Sequence, residues 1–192
     1  FAVVFDQLRS LDLAAIEKLV PRSSAFWAVF ALYYMAMPLA ELAIFRRLWR
    51  IPWSGILPLT RKMIGNEILL GYIGEVYFYA WVRKRSDIAG SPFGAIKDVT
   101  ILSALVGNAV TIAMLAVAYP LLGTLHLGIE GRALYLSAAT VLLTSLVLLL
   151  LRHRLFSLPA PALRFIAGVH LVRVVGKMAL AALLWHLALP AV

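Results

Sequence analysis

Five stretches of this chain run long and apolar with few charges: 24–45, 64–82, 99–122, 133–151 and 165–189. Runs of about 18 or more apolar residues are the length of a membrane-crossing helix. The expected fold is therefore an all-α integral membrane helix bundle. Composition agrees, with 63% hydrophobic and 14% charged residues, where soluble domains carry about a quarter charged. At 192 residues the chain is too short for a transporter of ten or more spans. Neither an internal repeat nor a flexible linker is visible, so one membrane domain over 1–192 is expected.

The termini of the runs carry membrane-interface signals. The run 24–45 opens on Phe26 and Trp27, contains Pro38, and exits through Arg46, Arg47, Trp49, Arg50 and Trp53, an aromatic and basic anchor. Ahead of it, the segment 1–23 starts with an apolar FAVVF, the pattern of an apolar segment's tail. It continues with Leu8, Leu11, Ala15 and Leu19 at helical spacing and reaches Pro21. That pattern predicts a short interfacial helix. The proline-rich stretch 152–164 and the loops 46–62 and 83–97 hold most of the basic residues.

Topology turns on 64–82. If this stretch crosses the bilayer, basic residues divide 6 to 10 between the two sides; if it dips in and returns, they divide 12 to 4. The positive-inside rule selects the second arrangement. The expectation is about four transmembrane helices plus one re-entrant or broken helix. Loops 46–62, 83–97 and 152–164 then face the cytoplasm, most simply from a bacterial inner membrane. Glycine-rich backbone at membrane depth needs protein or a wet cavity around it, and 64–82 contains Gly65, Gly71 and Gly74.

Two groups of polar residues stand inside these runs. His170, Arg173 and Lys177 are spaced three and four apart and share one helix face. With a helix starting near 165, Lys177 lies roughly 18 Å in. A charge at such depth costs roughly 3 kcal/mol or more unless paired or hydrated, so the stripe is expected to face the bundle interior or a wet cavity. It offers a binding site for an anion such as a lipid phosphate, or an internal ion-pair network with Glu41, Glu67 or Glu75. Glu67 and Glu75, four residues either side of Gly71, fall on roughly one side if the segment is continuously helical, where Arg61 and Lys62 compensate them. His126, His153 and His186 are isolated and without metal-site spacing. With no cysteine, thiolate metals and clusters are excluded. No cofactor, no metal and no nucleic acid is expected, and no catalytic pattern indicates an enzyme.

The text NEILLGYIGE at 66–75, followed by RKR at 83–85, resembles the signature of the lysylphosphatidylglycerol synthase transmembrane region, or flippase-like domain. DLAAIEKLV and the basic exit RRLWR before it fit the same pattern, so the resemblance covers about residues 10–110. Asn66, Gly74, Glu75 and Arg83, Lys84 and Arg85 match, while Leu70 and Tyr72 stand where the family carries a proline and an arginine. The resemblance implies a phospholipid-handling role.

Together these readings give an expected lipid site of Asn66, Glu67, Gly74, Glu75, Arg83, Lys84, Arg85, His170, Arg173 and Lys177, binding or translocating an anionic phospholipid. The alternative is a non-catalytic accessory subunit packed against other membrane subunits. Small residues Ala104, Gly107, Ala179, Ala181 and Ala182 permit close helix approach in either case.

Overall fold

The computed structural model describes residues 20–68, 71–84, 92–122 and 131–189. The expected interfacial helix near 10–20, the family-matching Arg85 and His126 lie outside these. Among the described residues the chain is helical, with no strand. Its elements are α1 (Ser24–Trp49), a 3-10 turn (Trp53–Gly55), α2 (Ile56–Ile68), α3 (Ile73–Arg83), α4 (Pro92–Leu122), α5 (Gly131–Leu150), a single-turn α6 (Arg152–Leu155) and α7 (Ala160–Ala188). Among the described residues three helices are long and apolar enough to cross a membrane: Ser24–Trp49, Pro92–Pro120 and Ala160–Ala188.

Two compact units are distinguished, Phe1–Tyr34 with Ala179–Val192, and Met35–Met178. In the first, Phe26, Trp27, Phe30 and Tyr34 form a ladder of ring contacts along α1. The Trp27 indole N–H caps the entry to that helix by donating to the Pro21 carbonyl at 2.9 Å. The second unit holds the core: Leu42, Ile44 and Phe45 of α1, Leu59 of α2, Phe78 and Val82 of α3, Ile96 and Val99 of α4, and Ile166 of α7.

Within that unit α2 and α3 form an antiparallel hairpin. Arg61 pairs with Tyr77, Lys62 with Glu75 and Asn66 with Gly74, a register in which one index rises as the other falls. The chain turns through Gly71 and Tyr72, and Tyr72 sits in the left-handed region at φ 75°. Two features hold the arms together. The Gly74 N–H donates to Asn66 Oδ1 at 2.7 Å, so the Asn66 side chain satisfies a donor that the first turn of α3 leaves without a helical partner. A Cβ on Gly74 would overlap the Lys62 carbonyl oxygen and lie 2.7 Å from Asn66 Oδ1, so only glycine permits this approach. Gly65 faces Gly74 from the other arm.

These boundaries change several expectations. Helix α2 begins at Ile56 and α4 at Pro92, so the basic stretches 46–62 and 83–97 are only partly loop. Helix α7 begins at Ala160, which puts Arg173 rather than Lys177 near the helix midpoint. The break around Tyr72 also separates Glu67 from Glu75. Glu67 ends on the exposed side of α2, while Glu75 opens α3 and turns inward.

One end of the unit is tied together by polar contacts. Fully buried Asp98, near the start of α4, accepts the Ser157 and Leu158 N–H groups at 2.7 and 2.8 Å through Oδ2. Its neighbour Lys97 donates to the Leu155 carbonyl. The Arg47 guanidinium, in the last turn of α1, stacks over the Phe165 ring of α7 at 4.2 Å. The exit of α1, the start of α4 and the α5–α7 connection therefore meet at one level.

Candidate functional site

Within the second unit, carboxylates from two helices converge on Lys62. Its ammonium donates to Glu41 Oε1 of α1 and lies 3.5 Å from Glu75 Oε1 of α3. Lys62 and Glu41 are each 3% exposed at the side chain, so neither charge is solvated by bulk water. A lone ammonium or carboxylate so placed would carry a desolvation cost of several kcal/mol; each is tolerable because the other is there. Lys62 reaches this position because α2 is amphipathic: Leu59 and Lys62 share its buried face while Arg61 points outward to Tyr77.

Helix α7 adds His170 and Arg173. His170 is fully buried, and neither ring nitrogen makes a hydrogen bond of ordinary geometry, although one faces the Val99 backbone. Arg173 reaches across to α4 and α1, donating through Nη2 to Ser103 Oγ at 3.0 Å and through Nη1 to the Met37 sulfur. Its Nε is buried without a partner, as is Glu75 Oε2. Lys62 lies near His170, and Glu41 near Arg173. Two carboxylates and two cations thus share one neighbourhood, with the His170 imidazole among them.

Glu75 also belongs to a second feature. A cavity of about 680 Å³ lies between α3, α4 and α5, walled mainly by apolar side chains such as Val76, Ile101 and Leu148, with Glu75 on its lining. Tyr79 and Phe93 meet edge-to-face on the same lining, with ring centroids 6.2 Å apart. One residue therefore connects the ionic cluster with an apolar chamber.

The expected site residues separate into three sets. Glu75, His170 and Arg173 lie in or beside the cluster. Asn66 and Gly74 brace the hairpin that carries it. Glu67, Arg83 and Lys84 are exposed, and Arg83 stacks on Tyr79 at 5.7 Å. Lys177 follows Arg173 by about one turn on α7.

Sequence reasoning sets Lys62 beside Arg61 as compensation for Glu67 and Glu75, and Lys62 does pair with Glu75. It misses that Lys62 is the buried centre of the cluster, and it misses the distant staple. The offset of four between Lys62 and Asn66 places both on one helix face. Asp98 is a buried acceptor for the loop 156–158 rather than a surface carboxylate, a role that a lone aspartate beside a lysine does not announce. Among the described residues no group of three or more His, Cys, Asp or Glu side chains is arranged to hold a metal.

Fold and cluster together define a class. The described residues of this chain are helical, with three helices long and apolar enough to cross a bilayer, and they hold an ion-pair cluster of Lys62, Glu41 and Glu75. Compared with protein-family models, curated proteins and solved structures, the chain matches none.

Proposed function

We propose that this is a bacterial inner-membrane protein that binds an anionic phospholipid, in the manner of flippase-like domains. In this reading the head group meets the polar face formed by Lys62, His170, Arg173 and Lys177. The acyl chain occupies the cavity between α3, α4 and α5. The observation that carries the proposal is Glu75, which lines that apolar cavity and lies 3.5 Å from the buried Lys62 ammonium. An amphiphile needs such a junction: an apolar chamber opening beside a buried cation. Lipid pockets of this kind fall within the few-hundred to thousand Å³ range of small-molecule sites.

The proposed topology has four crossings, α1, α4, α5 and α7, with the α2–α3 hairpin dipping in from the cytoplasmic side. Helices α2 and α3 have 13 and 11 residues, roughly 20 and 16 Å, too short to cross a ~30 Å core singly. The 20 residues of α5 give roughly 30 Å. Contacts joining the exit of α1, the start of α4 and the start of α7 support placing the three basic stretches on one side.

Gentle purification followed by lipid analysis tests the reading. An anionic phospholipid is expected to accompany the intact protein and to be lost from an Arg173→Ala/Lys177→Ala variant that remains folded. Unchanged lipid in that variant would sink the proposal, and stoichiometric partner proteins in place of lipid would favour the accessory-subunit role.

A further inference from the structure

We propose that the ligand of this site is a monoacyl phospholipid, whose single chain fills the apolar chamber and whose free glycerol hydroxyl donates to Glu75. The proposal rests on the phospholipid reading above and names the class of lipid that the same site takes.

With the phosphate on the face bearing Lys62, His170, Arg173 and Lys177, and the chain between α3, α4 and α5, Glu75 stands where the two parts of the lipid meet. It lines the chamber, and its Oε1 lies 3.5 Å from the Lys62 ammonium. Its Oε2 is buried and, among the described residues, has no hydrogen-bond partner. A buried carboxylate oxygen without a donor carries a desolvation cost that a hydrogen bond offsets. The last torsion of a glutamate side chain is soft, so this oxygen can turn toward a ligand in the chamber. The junction therefore calls for a donor that the lipid carries between its phosphate and its chain.

In a diacyl phospholipid the glycerol carbon at that point carries an ester, which can only accept. Removing one chain leaves an O–H there instead. The neighbouring polar groups of the lining are engaged elsewhere. The Lys97 ammonium is held by the Leu155 carbonyl, Ser157 and Asp98, and the Thr100 hydroxyl donates to the Ile96 carbonyl at 3.1 Å. A cationic donor is a poorer match than a hydroxyl, because it would share the junction with Lys62 and the chamber with Lys97. Size points the same way. A chamber of about 680 Å³ lies in the range that encloses a drug-sized ligand, which suits one aliphatic chain rather than two.

Three lipids with one head group separate chain number from hydroxyl: palmitoyl lysophosphatidylglycerol, its deoxy analogue lacking the free hydroxyl of the acylated glycerol, and dipalmitoyl phosphatidylglycerol. Each competes with a fluorescent lysophosphatidylglycerol for the full chain in phosphatidylcholine nanodiscs, and affinity is expressed per mole fraction of lipid in the disc. The monoacyl lipid is expected to bind about tenfold or more tightly than either of the others, the weight of a hydrogen bond to a charged acceptor. In Glu75→Gln, which keeps the side chain's shape, its preference over the deoxy analogue is expected to fall to about threefold or less, because the acceptor is then neutral. That ratio is unaffected by any change in phosphate affinity common to both lipids. Ala104→Phe, which fills the chamber, is expected to weaken all three. Equal binding of the monoacyl and diacyl lipids, or of the monoacyl lipid and its deoxy analogue, overturns the proposal and leaves the phospholipid reading standing. A preference that survives Glu75→Gln overturns the role given to Glu75, and monoacyl binding untouched by Ala104→Phe overturns the placement of the chain. Failure of all three lipids to bind overturns the phospholipid reading, and this proposal with it.

Discussion

Gly74 and Lys62 are in backbone contact across the α2–α3 hairpin, so closely that a Cβ at position 74 would overlap the Lys62 carbonyl oxygen. That contact sets the height of the Lys62 side chain relative to Glu75. Gly74→Ala is therefore expected to pry the arms apart and destabilise the protein by about 3 kcal/mol, read as a lower midpoint of thermal unfolding in detergent. Gly71→Ala, where an added Cβ meets nothing within 4 Å, is the control and is expected to change far less.

Removing the central cation should be more damaging than removing its partners with it. Lys62→Met leaves Glu41 and Glu75 buried without their counter-charge, at a cost of about 3–5 kcal/mol. Adding Glu41→Gln and Glu75→Gln to the same chain is expected to recover most of the lost stability. A triple variant no more stable than Lys62→Met would show that the cluster's charges are not what Lys62 balances.

His170 presents the opposite case. It is fully buried and its nitrogens make no hydrogen bond of ordinary geometry, so an apolar residue of similar size relieves a desolvated polar ring. His170→Leu is expected to be neutral or to stabilise by about 1 kcal/mol. Thermal unfolding of the lipid-free protein is the measurement, and a loss of more than about 2 kcal/mol would contradict it.

The Asp98 carboxylate accepts two consecutive backbone N–H groups from the loop after α6. Asp98→Ala leaves both donors without their charged acceptor, for about 3 kcal/mol in total. Faster protease cleavage between 156 and 160 is the expected signature, with Asp98→Asn intermediate because its amide oxygen still accepts.

The dipping hairpin predicts that its two outer ends face the same compartment. Single cysteines at Leu57, in the first turn of α2, and at Lys84, just past α3, are expected to react with an impermeant thiol reagent from the same side of sealed vesicles. Reaction from opposite sides would make the hairpin a crossing element.

Much of this architecture was legible in the chain. Apolar length marked the long helices, and the glycine-bearing second run, 64–82, expected to be re-entrant or broken, breaks between α2 and α3 at Gly71 and Tyr72. Periodicity also put His170 and Arg173 on a common face of α7, where the structure buries one and bonds the other to α1 and α4. What stayed hidden depended on partners remote in sequence. Lys62 is drawn inward by Glu41, 21 residues away, and Asp98 by amides some 60 residues on. Glu67 and Glu75 looked like a pair only while the helix was assumed continuous; one left-handed residue, Tyr72, sends them to opposite arms. Local pattern carries helix period and break, but not which distant element supplies the counter-charge.

The glycine-locked hairpin also dictates where this unit can come apart. Arms in backbone contact travel as one piece, so Lys62 and Glu75 keep their spacing in any displacement of α2 and α3. The Lys62–Glu41 bond joins that piece to α1 and has no such clamp. The fault line of the cluster therefore runs between α1 and the hairpin, and a shift along it would uncover the Glu41 carboxylate first.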